Sequence, residues 1–469
     1  MLNCYELYYK NKYLTEYIIY HYSSTKGKPS KEGIMKRLGL LLLSVVISVS
    51  LFAGGSAESG SEVVELTWSH WYTEAEQQRF IMPAIEKFEQ ENPNIKVTPV
   101  YMQNVNYFKQ LAVDIAANNE ADICTVDTGD GFRAYYNIRK GGAFLPLDER
   151  IAGYELSDGT KLEEVDLVYS SQVDGKTIAL PWFTYAAPVT IYRKSLLKEA
   201  GVDPADLEQW DTYYEAVKKL TMDRDNDGKT DVYGFAHQTE GSVLIRWWTL
   251  HWFWQLGGGI YPNEEGPYTA DRLIWNSDAN VEAGEYLLKM IKDASPKGKY
   301  TVNDALQLFA NGTVATMQAT TWCFESLENM MKAEDYQDDI GLAYFPSYGE
   351  KPPITITWGN PVAISSNTKH PDEAFKLIAF LHGEYAQRLL TRVPVNKVAR
   401  EQYAKEYPYQ AKTLNMVLED EQRMVPDIVE WRDLVNVIHR SLEDAFLGTK
   451  SVKAALDWGQ SEMQKIMAK

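Results

Sequence analysis

The sequence predicts an α/β fold in which parallel strands are connected by crossover helices. Two observations carry this prediction. Short β-branched segments alternate with amphipathic helical segments from about residue 63 to residue 126. The chain has 469 residues, 45% of them hydrophobic, 12% aromatic and only three of them cysteine, so it is neither a disordered nor a disulfide-stapled protein. This length is enough for two hydrophobic cores.

The first elements follow one another without a break. A strand is predicted over residues 63–68, and it runs into a loop over residues 69–72. Thr73 and Glu76 have the spacing of a capping box, and they precede a helix that ends near residue 92. A strand, a helix and a third strand are predicted next, over residues 95–100, about 106–117 and 121–126. The order β-α-β-α-β is typical of a parallel sheet.

A second module begins near residues 178–182. There the sequence predicts a strand over residues 189–192, a helix over 194–200 stopped by Gly201, an amphipathic helix over 210–220 and a Trp-rich helix over 243–256. We find no internal repeat and no long low-complexity linker. Short crossings should therefore join the modules.

Residues 35–57 have the order of a secretory signal peptide: a basic start, an apolar stretch over residues 38–52 and small residues up to Ala57. The apolar stretch is shorter than the roughly 20 residues of a membrane-spanning helix. No cysteine follows it, so we expect an exported protein, periplasmic or otherwise extracytoplasmic, that is not lipid-anchored. Cleavage fits best after Ala57, and next best after Gly55.

Residues 1–34 precede an otherwise complete signal peptide. We interpret them as an upstream extension from a misassigned start codon, with Met35 as the true start. The alternative is a genuine disordered extension.

The charge of the chain excludes some partners. The formal net charge is −18, and residues 1–57 contain seven basic and three acidic side chains, which leaves −22 for the remainder. An acidic body of this kind argues against binding to nucleic acid or to anionic lipid. Cys124 and Cys323 are expected to be buried free thiols, because each lies in an apolar segment.

Several segments, in a consistent order over roughly residues 63–395, resemble the extracellular solute-binding proteins of bacterial ABC importers, in the carbohydrate-binding family that includes the maltose-binding proteins. The segments are 80–97, 121–123, 142–147, 180–182, 191–202, 210–220, 309–317, Trp322 and 364–381. The chain departs from the family at Arg193, where Asn is frequent, and it lacks the lipidation cysteine of many relatives.

The resemblance implies a two-lobed periplasmic-binding-protein fold, in which each lobe is a mainly parallel sheet flanked by helices. A hinge of several crossings would join the lobes and close them on a solute. By analogy, the N-lobe comprises residues 62–178 and 348–390, and the C-lobe comprises residues 182–345 and 395–469. The expected function is capture of a carbohydrate and its delivery to ABC transporter permease subunits, without catalysis and without a required cofactor. We expect a monomer.

A saccharide needs flat aromatic faces for its C–H surfaces and converging polar groups for its hydroxyls. Aromatic side chains in predicted loops or strand ends, and polar side chains near them, are therefore the candidates. Residues at the carboxyl ends of the first and third strands are included, because ligands bind there in open parallel sheets. The candidate ligand-binding residues are His70, Trp71, Asp127, Asp130, Trp182, Tyr185, Trp247, Trp322, Trp358, Asn360 and Arg392. At each position the alternative is a structural role, and Trp68, Trp210 and most of the Trp-rich helix are expected in the core.

Two other classes of function stay open. The first is a relative that binds a non-sugar solute, such as a polyamine, glycerol phosphate or a ferric ion. The second, more remote, is a secreted glycoside hydrolase, which needs two carboxylates about 5–10 Å apart across a cleft. The adjacent acidic pairs at residues 264–265 and 338–339 do not imply that arrangement, and we interpret them as solvated loops.

Residues 223–231 reproduce the first nine positions of an EF-hand loop. The candidate calcium ligands are Asp223, Asp225, Asp227, the carbonyl of Lys229 and Asp231. The twelfth position, normally a bidentate Glu, is Gly234, which should weaken the site. A structural Ca²⁺ is one interpretation, and a hydrated turn after the preceding helix is the other.

Overall fold

The computed structural model describes residues 63–128, 132–165, 171–239 and 243–469. The predicted extension, residues 1–34, and the predicted signal peptide, residues 35–57, lie outside these ranges. Along the described parts of the chain, every helix is too short or too polar to traverse a lipid bilayer.

The strands of the described residues form two sheets. They are β1 (Val64–His70), β2 (Ile95–Tyr101), β3 (Ile123–Thr125), β4 (Ser171–Val173), β5 (Lys176–Ala187), β6 (Val189–Arg193), β7 (Tyr233–Ala236), β8 (Val314–Ala319), β9 (Ile340–Ala343), β10 (Ile354–Ile364), β11 (Val393–Pro394) and β12 (Glu421–Gln422).

The α-helices lie between these strands and in a helical tail after β12. They are α1 (Glu74–Glu76), α2 (Met82–Glu91), α3 (Asn104–Ala117), α4 (Phe132–Tyr136), α5 (Asp148–Ile151), α6 (Lys194–Ala200), α7 (Trp210–Lys219), α8 (Val243–Gln255), α9 (Asp278–Ala294), α10 (Val302–Ala310), α11 (Cys323–Met330), α12 (Ala333–Asp339), α13 (Pro371–His382), α14 (Glu384–Arg388), α15 (Lys397–Glu406), α16 (Pro408–Glu419), α17 (Trp431–Phe446) and α18 (Val452–Met467). A π-helical segment, Gln77–Ile81, joins α1 to α2.

The large sheet has eight strands in the order β11-β5-β10-β3-β1-β2, with β4 paired to β5 and β12 paired to β10. Strand β1 pairs in parallel with β2 and β3, as the β-α-β-α-β pattern predicts. Strand β10, however, runs antiparallel to both β3 and β5, and β11 runs antiparallel to β5. The sheet is therefore mixed.

The small sheet has four strands in the order β7-β8-β6-β9. Only β7 and β8 pair in parallel, whereas β6 is antiparallel to β8 and to β9. The expectation of mainly parallel sheets was wrong in both cases. Consecutive β-α-β units are parallel because the crossover helix returns the chain to the same edge. Strands β6 and β10 each enter their sheet from the other sheet, and β5 forms an antiparallel hairpin with β4.

Local signals placed the element boundaries well. The Thr73 side chain accepts a hydrogen bond from the backbone of Glu76, and the Glu76 side chain accepts one from the backbone of Thr73, which completes the predicted capping box. Gly201, at a φ of 61°, ends α6 in the left-handed conformation that glycine adopts without a Cβ clash. Strand β1 continues through His70, two residues beyond the predicted end.

Two bodies can be distinguished by sheet and core. The large-sheet body is the large sheet with the apolar core formed by β1, α2, α13 and neighbouring segments. The small-sheet body is the small sheet with two cores, one containing α7, α8, α9, α17 and α18, the other containing α10, α11 and α16. The residue bounds of the two lobes stay a prediction.

Candidate functional site

The site lies beside the two strands that connect the bodies, β5 and β10. These strands pair antiparallel with Tyr185 opposite Trp358, and the register is broken between Gly359 and Pro361. Asn360 lies in this irregularity, where a residue is released from the regular ladder and its side chain can be redirected. The sequence pattern of an apolar strand did not predict the irregularity.

Asn360 connects the irregularity to the carboxyl end of β3. Its Nδ2 donates a hydrogen bond to Asp127 Oδ2 at 2.8 Å, and its Oδ1 accepts one from the Tyr185 hydroxyl at 3.3 Å. The backbone supports this arrangement, because Val126 N donates to the carbonyl of Pro361 at 2.8 Å. Asp127, Tyr185 and Asn360 are all residues that the sequence analysis placed in the site, and the structure brings them together.

Tyr185 and Trp358 form an aromatic pair at this position. Their ring centroids are 5.1 Å apart and their planes are inclined by 35°. Trp358 is 8% exposed, and Tyr185 is half-buried. Burial raises the pKa of Tyr185 to about 12, although the positive charge of Arg392 opposes this shift, so the side chain carries a neutral hydroxyl at physiological pH.

Arg392 joins the two bodies through a pair of carboxylates. Its Nη2 lies 2.6 Å from Glu76 Oε1, in the first turn after β1, and its Nη1 binds Glu325 Oε2, in α11 after β8. The side chains of Arg392 and Glu76 are 12% and 17% exposed, so this ion pair is largely shielded from water. Arg392 Nε is buried and has no hydrogen-bond partner among the described residues.

Tyr72 lies in the same electrostatic environment. Burial raises its pKa, and the charges of Glu76 and Arg392 act on the hydroxyl in opposite senses. The residue is 2% exposed, and its hydroxyl has no hydrogen-bond partner in the described part of the chain. The ring of Tyr72 packs against Trp182 and Phe80 with centroids at 5.8 and 5.6 Å, so Tyr72 belongs to the core of the large-sheet body, as His70 does.

His70 and Trp182 do not lie on an accessible surface, which corrects the expectation that they line the site. Both are 0% exposed. The imidazole of His70 stacks on Tyr72 at 5.5 Å, and the indole of Trp182 packs edge-on against Trp68 at 5.1 Å. Their side chains point into the core of the large-sheet body, because β1 continues through His70 and β5 is covered on this face.

The remaining candidates have other surroundings or fall outside the described residues. Trp71 is half-buried and contacts the rings of Tyr107 and Phe108, with centroids at 5.1 and 4.9 Å. Trp322 is half-buried at the start of α11, where it packs against the core that contains α10, α11 and α16. Asp130 and the side chain of Trp247 lie outside the described residues.

Sequence analysis missed Glu76 and Glu325 as site residues. Glu76 was recognised only as a helix cap; it does cap, since Thr73 N donates to its Oε2 at 2.8 Å, but its other oxygen binds Arg392. Glu325 carries no local signal, because an acidic residue in the first turn of a helix is ordinary. The partnership with Arg392 spans 67 residues in one case and 316 in the other.

The interpretation of the acidic pairs as solvated loops is correct for the exposed Glu265 and Asp338, but it was wrong for Glu264 and Asp339. Glu264 is 5% exposed and accepts a hydrogen bond from Trp254 Nε1 at 2.8 Å, and burial raises its pKa to about 7. Asp339 forms an ion pair with Arg193 at 2.6 Å, with both side chains mostly buried. These carboxylates hold loops and helix ends in place. The positions of Trp68, Trp210, Trp252 and Trp254 in the core were predicted correctly.

Three of the five predicted calcium ligands come together. Ligand oxygens of Asp223, Asp225 and Asp227 lie within 4.8 Å of one another, and all three residues are exposed. Asp231 instead accepts a hydrogen bond from the backbone of Arg224 at 2.7 Å. The three-residue cluster is an arrangement that a cation would stabilise, but acidic loops of this kind also exist without one, so the calcium site stays a prediction.

The twelfth position of that loop is determined by packing. Gly234 belongs to β7, and a Cβ added there would lie 1.8 Å from the carbonyl oxygen of Val217 in α7. A Glu in this position is therefore sterically excluded. Cys124 and Cys323 are free and buried, as predicted.

Both the sequence and the fold match known proteins. The family model described as "Bacterial extracellular solute-binding protein" matches residues 73–388. Among curated relatives, an arabinooligosaccharide-binding protein of Bacillus subtilis is 24% identical over 359 residues, which cover 74% of this chain and 77% of the relative.

Two further relatives differ in coverage. A probable ABC transporter-binding protein of Deinococcus radiodurans is 27% identical over 225 residues, and the match spans 47% of this chain and only 51% of the relative. An sn-glycerol-3-phosphate-binding periplasmic protein of Yersinia pestis is 22% identical over 409 residues, with 76% of this chain and 85% of the relative covered.

The solved structures agree with the fold. A solute-binding protein of Thermotoga lettingae, solved with α-D-tagatose, has a TM-score of 0.69 at 17% identity and covers 86% of this chain and 100% of its own. A substrate-binding protein of Listeria monocytogenes, solved with cycloalternan, has a TM-score of 0.68 at 21% identity, with 87% and 100% covered. At such identities the likeness shows a shared fold of two-lobed α/β type.

Proposed function

The chain belongs to the family of bacterial extracellular solute-binding proteins, and from that premise we propose that it captures a carbohydrate outside the cytoplasmic membrane and passes it to the permease subunits of an ABC transporter. Membership of this family implies an extracytoplasmic location and a small-molecule ligand. Export by the signal at residues 35–57 is part of the proposal, and N-terminal sequencing of the exported protein tests it.

One observation carries the carbohydrate proposal. Tyr185 and Trp358 present an aromatic pair, and Asn360, Asp127 and Arg392 supply hydrogen-bonding groups beside it. Flat rings next to amide, carboxylate and guanidinium groups suit a molecule with C–H faces and hydroxyl edges. Named relatives in the same family include a binder of arabino-oligosaccharides.

A glycerol phosphate ligand is the main alternative, because one relative carries that name. A phosphate needs a free cationic partner. Arg392 is already engaged by Glu76 and Glu325. This engagement favours an uncharged ligand.

A polyamine ligand and a glycoside hydrolase activity are weaker alternatives. A polyamine needs free carboxylates, and the side chains of Glu76 and Glu325 are engaged by Arg392. A glycoside hydrolase needs one of two carboxylates to donate a proton to the scissile bond. Glu76 and Glu325 both bind the guanidinium of Arg392, so neither carboxyl is free to face a scissile bond.

A ligand screen by thermal shift and isothermal titration calorimetry tests the proposal. A ligand that binds only the native state raises the melting temperature by mass action. We expect neutral oligosaccharides, including arabino- and malto-oligosaccharides, to raise it and to bind one site per chain. Saturable binding of a polyamine or of glycerol 3-phosphate, with no response to any sugar, would contradict the carbohydrate proposal. Conversion of the sugar into a new product would contradict the binding-protein assignment.

A further inference from the structure

The guanidinium of Arg392 is enclosed by two carboxylates that come from different bodies of the molecule. Glu76 follows β1 in the large-sheet body, and Glu325 begins α11 in the small-sheet body. One positive and two negative charges give this group a net charge of −1. The group adjoins the aromatic pair, because Arg392 directly precedes Val393, which pairs with Thr184 next to Tyr185 in β5.

We propose that Glu76 and Glu325 determine the ligand class by neutralising Arg392, so that the site accepts uncharged polyhydroxyl solutes and rejects solutes that carry a phosphate or a carboxylate. The inference rests on the proposed function, since it requires the solute to bind beside Tyr185. It goes beyond that function because it assigns the selection against anions to two particular side chains.

The hydrogen bonds of the guanidinium support this assignment. Nη1 and Nη2 are occupied by the two carboxylates, whereas Nε is buried and has no partner among the described residues. The Nε–H group is a donor only, so it is suited to the lone pair of a hydroxyl oxygen. A neutral solute can accept this hydrogen bond without displacing either carboxylate.

An anionic solute meets a different situation. The side chains of Arg392 and Glu76 are 12% and 17% exposed, and Glu325 is 25% exposed, so charges here are less screened than at the surface. A phosphate placed at Nε would be repelled by two carboxylates and attracted by one guanidinium. To bind well it would have to displace a carboxylate from a shielded ion pair and so leave a buried charge uncompensated.

Two other arginines are engaged less closely. Arg133 lies 3.4 Å from Asp174 and 3.8 Å from Asp427, both more exposed than Glu76 and Glu325, and Arg432 donates to the neutral carbonyl of Phe108 at 3.3 Å. Enclosure by two shielded carboxylates therefore distinguishes Arg392 from both.

The test is the double variant E76Q/E325Q. Gln keeps the shape of both side chains, and at position 76 it also preserves the capping box. Without the two negative charges, the guanidinium becomes available to an anion. We expect glycerol 3-phosphate to bind at least ten times more tightly to the double variant than to the unmodified protein, measured by isothermal titration calorimetry. The matched control is Glu328→Gln, an exposed residue on the same helix as Glu325, which should leave the affinity for glycerol 3-phosphate unchanged.

Two outcomes would overturn the inference: glycerol 3-phosphate binding equally well to the unmodified protein, or no gain in the double variant. If the double variant fails to fold, as judged by circular dichroism, the single variants E76Q and E325Q serve, each with an expected gain of at least threefold. Adding Arg392→Met to E76Q/E325Q should abolish the gain. Failure of the proposed function would show separately, as the absence of any response of the unmodified protein to neutral sugars.

Discussion

The imidazole of His70 is enclosed by aromatic rings, and neither of its nitrogens has a hydrogen-bond partner among the described residues. It stacks on Tyr72 and meets the edge of Trp68 with ring centroids 5.7 Å apart. Burial lowers the pKa of His70 to about 4. The folded protein therefore favours the neutral ring, and His70 acts as an aromatic core residue.

Replacement of His70 by Phe should make the protein less sensitive to acid. The unfolded chain takes up a proton near pH 6.5, whereas the folded chain resists protonation until about pH 4. Stability is therefore full above pH 6.5 and is lost as the pH falls through this interval, by about 2 kcal/mol at pH 5. Thermal unfolding at pH 7 and pH 5 should show a smaller loss in the variant, with an unchanged or higher melting temperature at pH 7.

Part of the acid sensitivity should remain in that variant. Burial also lowers the pKa of His237 and of His251 to about 3. A melting temperature that falls equally steeply with pH in His70→Phe and in the unmodified protein would show that His70 does not contribute.

Trp322 is the candidate aromatic residue on the small-sheet body. It is half-buried and directly precedes α11, the helix that contains Glu325. If it stacks on the sugar, Trp322→Ala should weaken binding about 10- to 100-fold, a loss typical of an aromatic contact residue. Fluorescence titration with the sugar found in the screen measures the effect.

The matched control for Trp322 is Trp458. This residue is also half-buried, but it lies on α18 beneath Arg440 and Lys450, with cations 4.9 and 4.8 Å from its ring. Trp458→Ala should leave the affinity unchanged. A Trp322→Ala variant that folds and binds as tightly as this control would remove Trp322 from the site.

At the scale of elements, the loop between α7 and β7 contains three clustered carboxylates, and nearby cations balance their negative charge only weakly. Lys229 contributes its Nζ to Asp227 at 3.0 Å, but both side chains are exposed, so the ion pair is weak. Backbone N–H groups of Asp227 and Gly228 donate to Asp223 at 3.2 and 2.9 Å. The loop is ordered by these bonds with or without a cation.

Calcium should nevertheless raise the melting temperature if it binds here. Ca²⁺ takes six to eight oxygen ligands and would relieve the repulsion among Asp223, Asp225 and Asp227. We expect a higher melting temperature in millimolar Ca²⁺ than in excess chelator, and we expect Asp225→Ala to abolish the difference. Glu285→Ala, on the exposed face of α9, is the control that should retain it. Identical melting curves in calcium and chelator would leave only the hydrated turn.

At the scale of the whole molecule, polar contacts join the two bodies at more than one place. Besides the Arg392 group, Asp427 accepts a hydrogen bond from the backbone of Arg133 at 3.0 Å, and Arg79 donates to the Tyr407 hydroxyl at 2.6 Å. Asp427 leads into the helical tail, whereas Arg133 lies in α4 beside β3. Each of these two contacts is partly exposed, so it stabilises the association of the bodies only weakly.

Asp427→Asn should therefore make the ligand-free protein less compact. The variant loses the negative charge that faces Arg133. The free energy that favours contact between the two bodies therefore falls, by at most about 1 kcal/mol. We expect a larger radius of gyration without ligand in small-angle scattering, and an affinity for the sugar up to about fivefold lower. The control is Glu462→Gln, whose partner Lys465 lies on the same exposed helix. Scattering curves that coincide for the two variants would contradict this role of Asp427.

Features that depend on a few consecutive residues could be predicted from the sequence. The capping box at Thr73 and Glu76, the glycine that ends α6, the buried thiols and the helix that begins at Trp210 were all predicted correctly. Backbone propensity, capping and one-sided apolar periodicity act over a turn or two of chain, so a short stretch of sequence is enough to recognise them. The order of several such segments was enough to recognise the family.

The tertiary structure alone decided which distant residues meet. Three features depend on segments that are distant in sequence: the strand direction of β10, the burial of His70 and Trp182, and the joining of Glu76, Arg392 and Glu325. A local pattern does not distinguish a strand that ends in a loop from one that continues under a covering layer. The strand was therefore predicted to end two residues before His70, and His70 was assigned to the loop. An ion pair across 316 residues leaves no periodic signal in either segment. Local chemistry therefore determined the elements and the family, whereas long-range packing determined which side chains form the site.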